Sequence, residues 1–80
     1  MWVIVRDLIN NNLRKGVESV GFREGAVLPH EFRLLDADGK IYYRGWSDNN
    51  NSFAPLDDFG RPNAGCTTIQ YWECGLWVTL

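Results

Sequence analysis

Side chains that bind soft metals or form covalent cross-links are scarce in this chain. Its 80 residues include one histidine and two cysteines, which are His30, Cys66 and Cys74. A structural zinc site takes four ligands, commonly in closely spaced pairs, so we expect no metal and no cofactor. If Cys66–Glu73 forms one strand, its length keeps the cysteines about 26 Å apart, whereas a disulfide needs their Cα atoms within about 7 Å. We therefore expect two reduced thiols.

Charge of one sign is nowhere concentrated. The formal net charge is −2, and the longest runs of like charge are the pairs Arg14-Lys15 and Asp57-Asp58. A general nucleic-acid binder carries a basic stripe whose charges release counterions from the phosphate backbone. Nucleic acid is therefore an alternative partner rather than the favoured one.

Long hydrophobic runs are also absent. The apolar stretch Trp2–Val5 is far too short to span a membrane, and it lacks the basic start of a signal peptide. We therefore expect a cytoplasmic protein that has no membrane partner.

Apolar and aromatic residues, by contrast, are plentiful. Hydrophobic residues make up 45% of the chain and aromatic residues 14%. A chain of this length buries only about 60% of the surface that its unfolded form exposes, but each aromatic side chain can bury on the order of 150–250 Å². The composition predicts one globular domain over residues 1–80.

The strongest local signal is a β-hairpin over Glu31–Trp46. Its two apolar-rich arms flank Asp36-Ala37-Asp38-Gly39-Lys40, where Asp and Gly accept the backbone geometry of a tight reversal. A two-residue Asp38-Gly39 loop is one closure, but we favour a three-residue loop that pairs Asp36 with Lys40. That register places Leu35, Ile41, Arg33 and Tyr43 on one face of the hairpin, and Phe32, Leu34, Tyr42 and Arg44 on the other.

The remaining segments predict further strands joined by irregular chain. Strands are expected at Trp2–Asp7, Cys66–Glu73 and Leu76–Leu80, with a reversal at Cys74-Gly75. The region Leu8–Pro29 fits either a helical turn or two or, preferably, a loop with a short strand. The region Ser47–Gly65 is expected to be a long irregular loop. The fold class is therefore mainly β: a small antiparallel sheet or barrel of four to five strands with at most one short helix.

Two groups of polar and aromatic residues are candidates for binding. Tyr, Trp and Arg are the favoured anchors of protein contacts, and a long loop in a small domain is either functional or compactly packed. The candidate binding residues are Tyr42, Arg44 and Trp46 in the hairpin, and Asp57, Asp58, Arg61 and Asn63 in the loop.

No set of residues in the sequence assembles a recognisable catalytic site. His30 with Cys66 or Cys74 could form a nucleophile pair, but no third group supports it. We therefore expect that the protein is not an enzyme.

The second half of the chain, from Phe32 to Leu80, contains the motifs FRLLDADGKIYYRG and FAPLDDFGRPNAGCTTIQYW and ends in WVTL. In these motifs the chain resembles a group of small uncharacterised proteins of bacteria and their mobile elements. The resemblance implies a self-contained product, such as an accessory protein of a phage or plasmid, and carries no activity, cofactor or catalytic residue with it.

These observations lead to two functional hypotheses. The first is a small non-enzymatic protein-binding module, an accessory or inhibitor protein that acts on a host enzyme. The alternative is a small β-barrel that binds single-stranded nucleic acid, with Tyr42, Trp46 and Arg44 as stacking and phosphate-binding groups.

Overall fold

The computed structural model describes residues 1–9, 12–13, 19, 23, 25 and 27–80. They form an antiparallel sheet with the strand order β2-β1-β4-β3-β5-β6. The strands are β1 (Trp2–Asp7), β2 (Asn12–Leu13), β3 (His30–Leu35), β4 (Ile41–Ser47), β5 (Thr68–Glu73) and β6 (Leu76–Thr79). The mainly β fold class is confirmed: five strands have four residues or more, and β2 adds a two-residue strand. Within the described residues no pairing joins β2 to β6, so the sheet is open and not a barrel.

The region Leu8–Pro29 is only partly described. β2 lies in this region and pairs with Arg6 and Asp7 at the end of β1. The choice between a helical turn and a loop for the rest of the region falls outside the described residues.

The turn between β3 and β4 closes in the three-residue form that the sequence predicts. The Asp36 N–H donates to the Lys40 carbonyl oxygen at 3.0 Å, and the Gly39 N–H donates to the Asp36 carbonyl oxygen at 3.1 Å. Gly39 has φ +84°, which is the left-handed conformation this loop requires. The Asp36 carboxylate accepts the backbone N–H groups of Asp38 and Lys40, each at 2.9 Å.

The predicted distribution of hairpin side chains over the two faces is wrong beyond the turn. Leu34 lies opposite Tyr43, and Tyr42 is the extra residue of a β-bulge. A bulge shifts the alternation of the strand by one residue. Tyr43 therefore shares a face with Leu34, whereas Arg44 lies opposite Arg33 on the other face. The sequence pattern assumed unbroken alternation, and a bulge leaves no hydrophobic signature of its own.

The irregular loop predicted for Ser47–Gly65 is also partly wrong, because its second half is helical. A π-helical turn at Leu56–Gly60 continues into the α-helical turn α1 at Arg61–Ala64; together we call them the helical segment. It ends at Gly65, which has φ +70° and whose N–H donates to the Arg61 carbonyl oxygen at 3.0 Å. The Gly and Pro residues that predicted a loop are accommodated inside and at the end of this segment.

The hydrophobic core lies between the helical segment and one face of the sheet. Leu56 and Phe59 point from the helical segment onto this buried face, where Phe59 packs edge-to-face against Tyr43 with ring centroids 4.8 Å apart. A side chain at Gly60 would approach Leu34 Cδ1 to 2.8 Å, so this glycine permits the close approach of helix and sheet. The core residues are Trp2, Ile4, Phe32, Leu34, Tyr43, Leu56, Phe59, Cys66, Ile69 and Tyr71.

The closest backbone approach in the sheet occurs at Gly45 in β4. A Cβ atom there would lie 2.5 Å from Phe32 Cζ and would also collide with the Val3 carbonyl oxygen. The Phe32 ring, which is fully buried, therefore occupies the space that a side chain at position 45 would need. The absence of a side chain at Gly45 thus lets the Phe32 ring of β3 pack directly over the backbone of β4, next to β1.

We expect Gly45→Ala to lower stability severely, because overpacking of this kind costs about 3 kcal/mol. For a domain of this size the thermal midpoint should fall by roughly 12–24 °C. Circular dichroism melting measures it. The matched control is Gly39→Ala, where nothing lies near the added Cβ and only the left-handed backbone is strained, at about 1–2 kcal/mol. Equal losses in the two variants would contradict the steric role of Gly45.

The two cysteines should differ sharply in reactivity. Both are free: Cys74 is exposed, whereas Cys66 is fully buried in the core. Burial, aided by the negative charge of Asp36, raises the pKa of the Cys66 thiol to about 11, so it carries little thiolate near neutral pH. A chromogenic disulfide reagent at pH about 8 should titrate one thiol in the native protein and both thiols in denaturant. Cys74→Ser should abolish the fast reaction and Cys66→Ser should preserve it; two fast native thiols would refute the core placement of Cys66.

Candidate binding face

The face of the sheet opposite the helical segment carries arginine and tryptophan side chains. We call it the open face and define it by the strand register. Its residues include Val3, Arg6, Glu31, Arg33, Arg44, Trp46, Gln70, Trp72, Trp77 and Thr79.

Three arginines from neighbouring strands lie in one row across this face. Arg6 in β1 lies opposite Arg44 in β4, and Arg44 lies opposite Arg33 in β3. The row continues with Gln70 and Thr79 in β5 and β6. Like charges directly opposite each other on adjacent strands are destabilising, so this arrangement costs the folded protein stability.

Arg6 reaches the open face because β1 contains a bulge. The register with β4 shifts between Ile4 and Arg6, which leaves Val5 as the extra residue. Without the shift, Arg6 would follow Ile4 onto the buried face. The shift instead brings Asp7 to the buried side, where it is 1% exposed and accepts the Ile9 N–H at 2.9 Å.

The arginine row is only partly neutralised by its neighbours. Arg44 Nη2 contacts Glu31 Oε2 at 2.9 Å, the one ion pair to the row among the described residues. Arg33 Nε donates to Gln70 Oε1 at 2.7 Å, and a neutral amide offers no compensating charge. Burial, followed by the positive charge of Arg44, lowers the pKa of Arg33. Among the residues that the structure describes, the row therefore carries more positive charge than its neighbours neutralise.

The two central arginines, Arg33 and Arg44, both lie close to the ring of Trp77. The guanidinium carbon of Arg33 lies 4.3 Å from the Trp77 ring centroid, and that of Arg44 lies 5.7 Å from it. Both are within the range of cation–π attraction. Trp72 packs edge-to-face on Trp77 with centroids 5.2 Å apart. Trp77 belongs to β6 and Arg44 to β4. The contact between their side chains therefore spans β3 and β5, which lie between these two strands.

One polar atom in this cluster has no partner within the described part of the chain. Arg44 Nε is buried from solvent and makes no hydrogen bond there. An unsatisfied buried donor costs about 1–3 kcal/mol, and more where the group is charged. The arrangement of Arg44 is therefore not explained by stability alone.

The candidate residues of the hairpin are divided between two locations. Arg44 and Trp46 belong to the open face, and Trp46 is 39% exposed. Tyr42, the bulge residue, packs instead against the core. A hydrogen bond from its hydroxyl to Asp36 raises the pKa of Tyr42, and the pKa of Asp36 is lowered by the Lys40 N–H and by this hydroxyl. Tyr42 thus supports the turn.

The candidates of the predicted loop lie on the helical segment, beyond the sheet from the open face. All four are exposed: Asp57, Asp58, Arg61 and Asn63. Arg61 Nε lies 3.6 Å from Asp57 Oδ1, one helical turn away, and Asn63 Nδ2 donates to the Phe59 carbonyl oxygen at 2.8 Å. The structure therefore does not bring the two candidate groups into one site.

The candidate set lacks four arginine and tryptophan residues that the structure places on the open face: Arg6, Arg33, Trp72 and Trp77. Arg33 and Trp72 could be inferred from alternation within β3 and β5. Trp77 follows from the predicted hairpin that pairs it with Trp72, but its position beside the arginines depends on the order of strands across the sheet. Arg6 could not be inferred, because its position depends on the bulge at Val5.

The only histidine and one of the thiols share a groove at the end of the sheet. The groove has a volume of about 420 Å³ and is lined by His30, Asn50, Trp72, Glu73 and Cys74. Asn50 Nδ2 donates to the Glu73 carboxylate. Cys66 lies elsewhere, in the core. In the described ranges, no three metal-binding side chains are grouped so as to hold an ion.

Comparisons of the chain with protein-family models, with curated proteins and with solved structures gave no match. Among the residues that the structure describes, no helix is long and apolar enough to cross a membrane. The geometry of the open face is therefore the main guide to function.

Proposed function

We propose that this protein is a small, non-enzymatic protein-binding module and that its partner docks on the open face. The observation that carries the proposal is the row Arg6–Arg44–Arg33 beside the exposed rings of Trp46 and Trp72. Arginine and tryptophan dominate the binding energy of protein interfaces. The clustering of these side chains on one face of the sheet is more typical of a surface that binds a partner than of one that faces only solvent.

The charge of the open face supports the same proposal. The face carries three arginines and one glutamate, whereas the whole chain has a net charge of −2. The helical segment on the other side presents Asp57 and Asp58. A partner with complementary charge is therefore guided towards the open face and away from the helical side.

The proposed partner is a host enzyme in the cytoplasm, on which the protein acts as an accessory or inhibitor. Support for this part comes from the resemblance of Phe32–Leu80 to small proteins of bacteria and their mobile elements. Such a protein needs a rigid surface rather than chemistry of its own, and strands provide one.

A second candidate function is binding of single-stranded nucleic acid on the same face. The observation that favours it is the placement of Trp46 (39% exposed) and Trp72 (44% exposed) beside the arginine row. Stacking of a base on an exposed aromatic ring contributes about 1–3 kcal/mol, and arginines contact the phosphates.

We expect Trp46→Ala to abolish capture of the partner. The tagged protein is incubated with cytosolic extract of a bacterial host, and bound proteins are quantified by mass spectrometry. Loss of an anchoring tryptophan costs about 2 kcal/mol or more, which corresponds to about a 30-fold loss of affinity. The matched control is Phe53→Ala, which removes another exposed aromatic ring, 47% exposed, that lies outside the open face.

The proposal requires a partner that the wild type and Phe53→Ala retain and that Trp46→Ala loses. Equal capture by all three proteins would contradict it. Nuclease treatment of the extract separates the two candidate functions, because loss of all bound material after digestion would favour nucleic acid.

A further inference from the structure

We propose that Arg33 and Arg44 form an anion subsite on the open face and that it takes carboxylates from an acidic segment of the partner protein. This inference rests on the proposed function and names the chemistry of the partner.

The two guanidinium groups are positioned to act on one ligand. Arg33 and Arg44 are direct cross-strand neighbours, and both guanidinium carbons lie within 5.7 Å of the Trp77 ring centroid. A guanidinium is planar and presents several N–H donors in a fixed fork that matches the two oxygens of a carboxylate. Contact with the Trp77 ring restricts Arg33, so less freedom is lost when a ligand binds.

The pair has more positive charge than its described neighbours balance. Glu31 contacts Arg44 through Nη2 alone, and Arg33 is bonded to the neutral amide of Gln70. Arg44 Nε has no hydrogen-bond partner among the described residues. Arg6, which is exposed, extends the same row. An incoming carboxylate therefore meets a surplus of positive charge, which it reaches through the guanidinium Nη groups because Arg44 Nε is shielded from solvent.

The surroundings favour a short acidic protein segment over a long polyanion. Outside the open face the surface carries Asp36 and Asp38 in the hairpin turn, and Asp57 and Asp58 on the helical segment. A nucleic-acid strand that extends past the row towards the hairpin turn would be repelled by Asp36 and Asp38, whereas a short segment contacts only the row.

The test is a titration that follows tryptophan emission, since three of the four tryptophans belong to the open face. The probes are a peptide of alternating glutamate and alanine, its lysine counterpart, and an oligodeoxythymidine with as many charges as the acidic peptide. We expect saturable binding of the acidic peptide, weakened roughly tenfold by Arg33→Gln and by a rise from low to physiological salt. Arg61→Gln, the same change on the helical segment, should bind like the wild type.

A second variant keeps the inference testable if Arg33→Gln does not fold. Arg6→Gln changes an exposed side chain in the same row, and we expect it to weaken peptide binding by a few-fold while melting like the wild type. Equal affinities of Arg33→Gln, Arg6→Gln and Arg61→Gln would overturn the inference. Tighter binding of the oligodeoxythymidine than of the peptide would overturn it in favour of nucleic acid.

The inference and the proposed function fail in different ways. If the acidic peptide does not bind but capture from extract still depends on Trp46, the docking face stands and the acidic segment is refuted. If capture does not depend on Trp46, the proposed function fails and the inference falls with it.

Discussion

The packing of Phe32 over Gly45 is the contact on which the rest of the sheet depends. The ring occupies the space of a missing side chain on β4, next to the Val3 carbonyl group of β1, and packs edge-to-face against Tyr71 of β5 with centroids 6.0 Å apart. One buried side chain thus fixes the relation of four strands. The neighbouring pair in the same ladder is Arg33 opposite Arg44, so the contact that organises the core also sets the register of the open face.

The sequence predicts those parts of the fold that are determined by interactions within a few consecutive residues. The Asp36–Lys40 turn needs a left-handed residue and an Asp that accepts backbone N–H groups, and both requirements are visible in five consecutive letters. The Cys74-Gly75 reversal is similar, since both residues have positive φ. The helical segment was missed because its stability comes from Leu56 and Phe59 packing on the sheet, which no local propensity reports.

The candidate binding face could be predicted only in part, for a related reason. Arg44 and Trp46 are recognisable as anchor residues on a well-defined strand. Their neighbours Arg6 and Trp77 come from strands at opposite ends of the chain, and strand order is not encoded in any single segment. Asp57 and Asp58 are candidates as part of the predicted loop, but their position on the helical segment separates them from the arginines by the thickness of the core and the sheet.

The bulge at Val5 is the feature that most favours a selected binding face. It turns Arg6 onto the open face, where it adds a third like charge to a row that is already repulsive, and it brings the Asp7 carboxylate to the buried face. The added arginine does not benefit folding by itself. Bulges commonly redirect side chains near functional sites, and departures from local consistency in natural proteins concentrate there. A ligand that supplies negative charge to the row would offset the repulsion among the three arginines, which explains why such an arrangement can be retained.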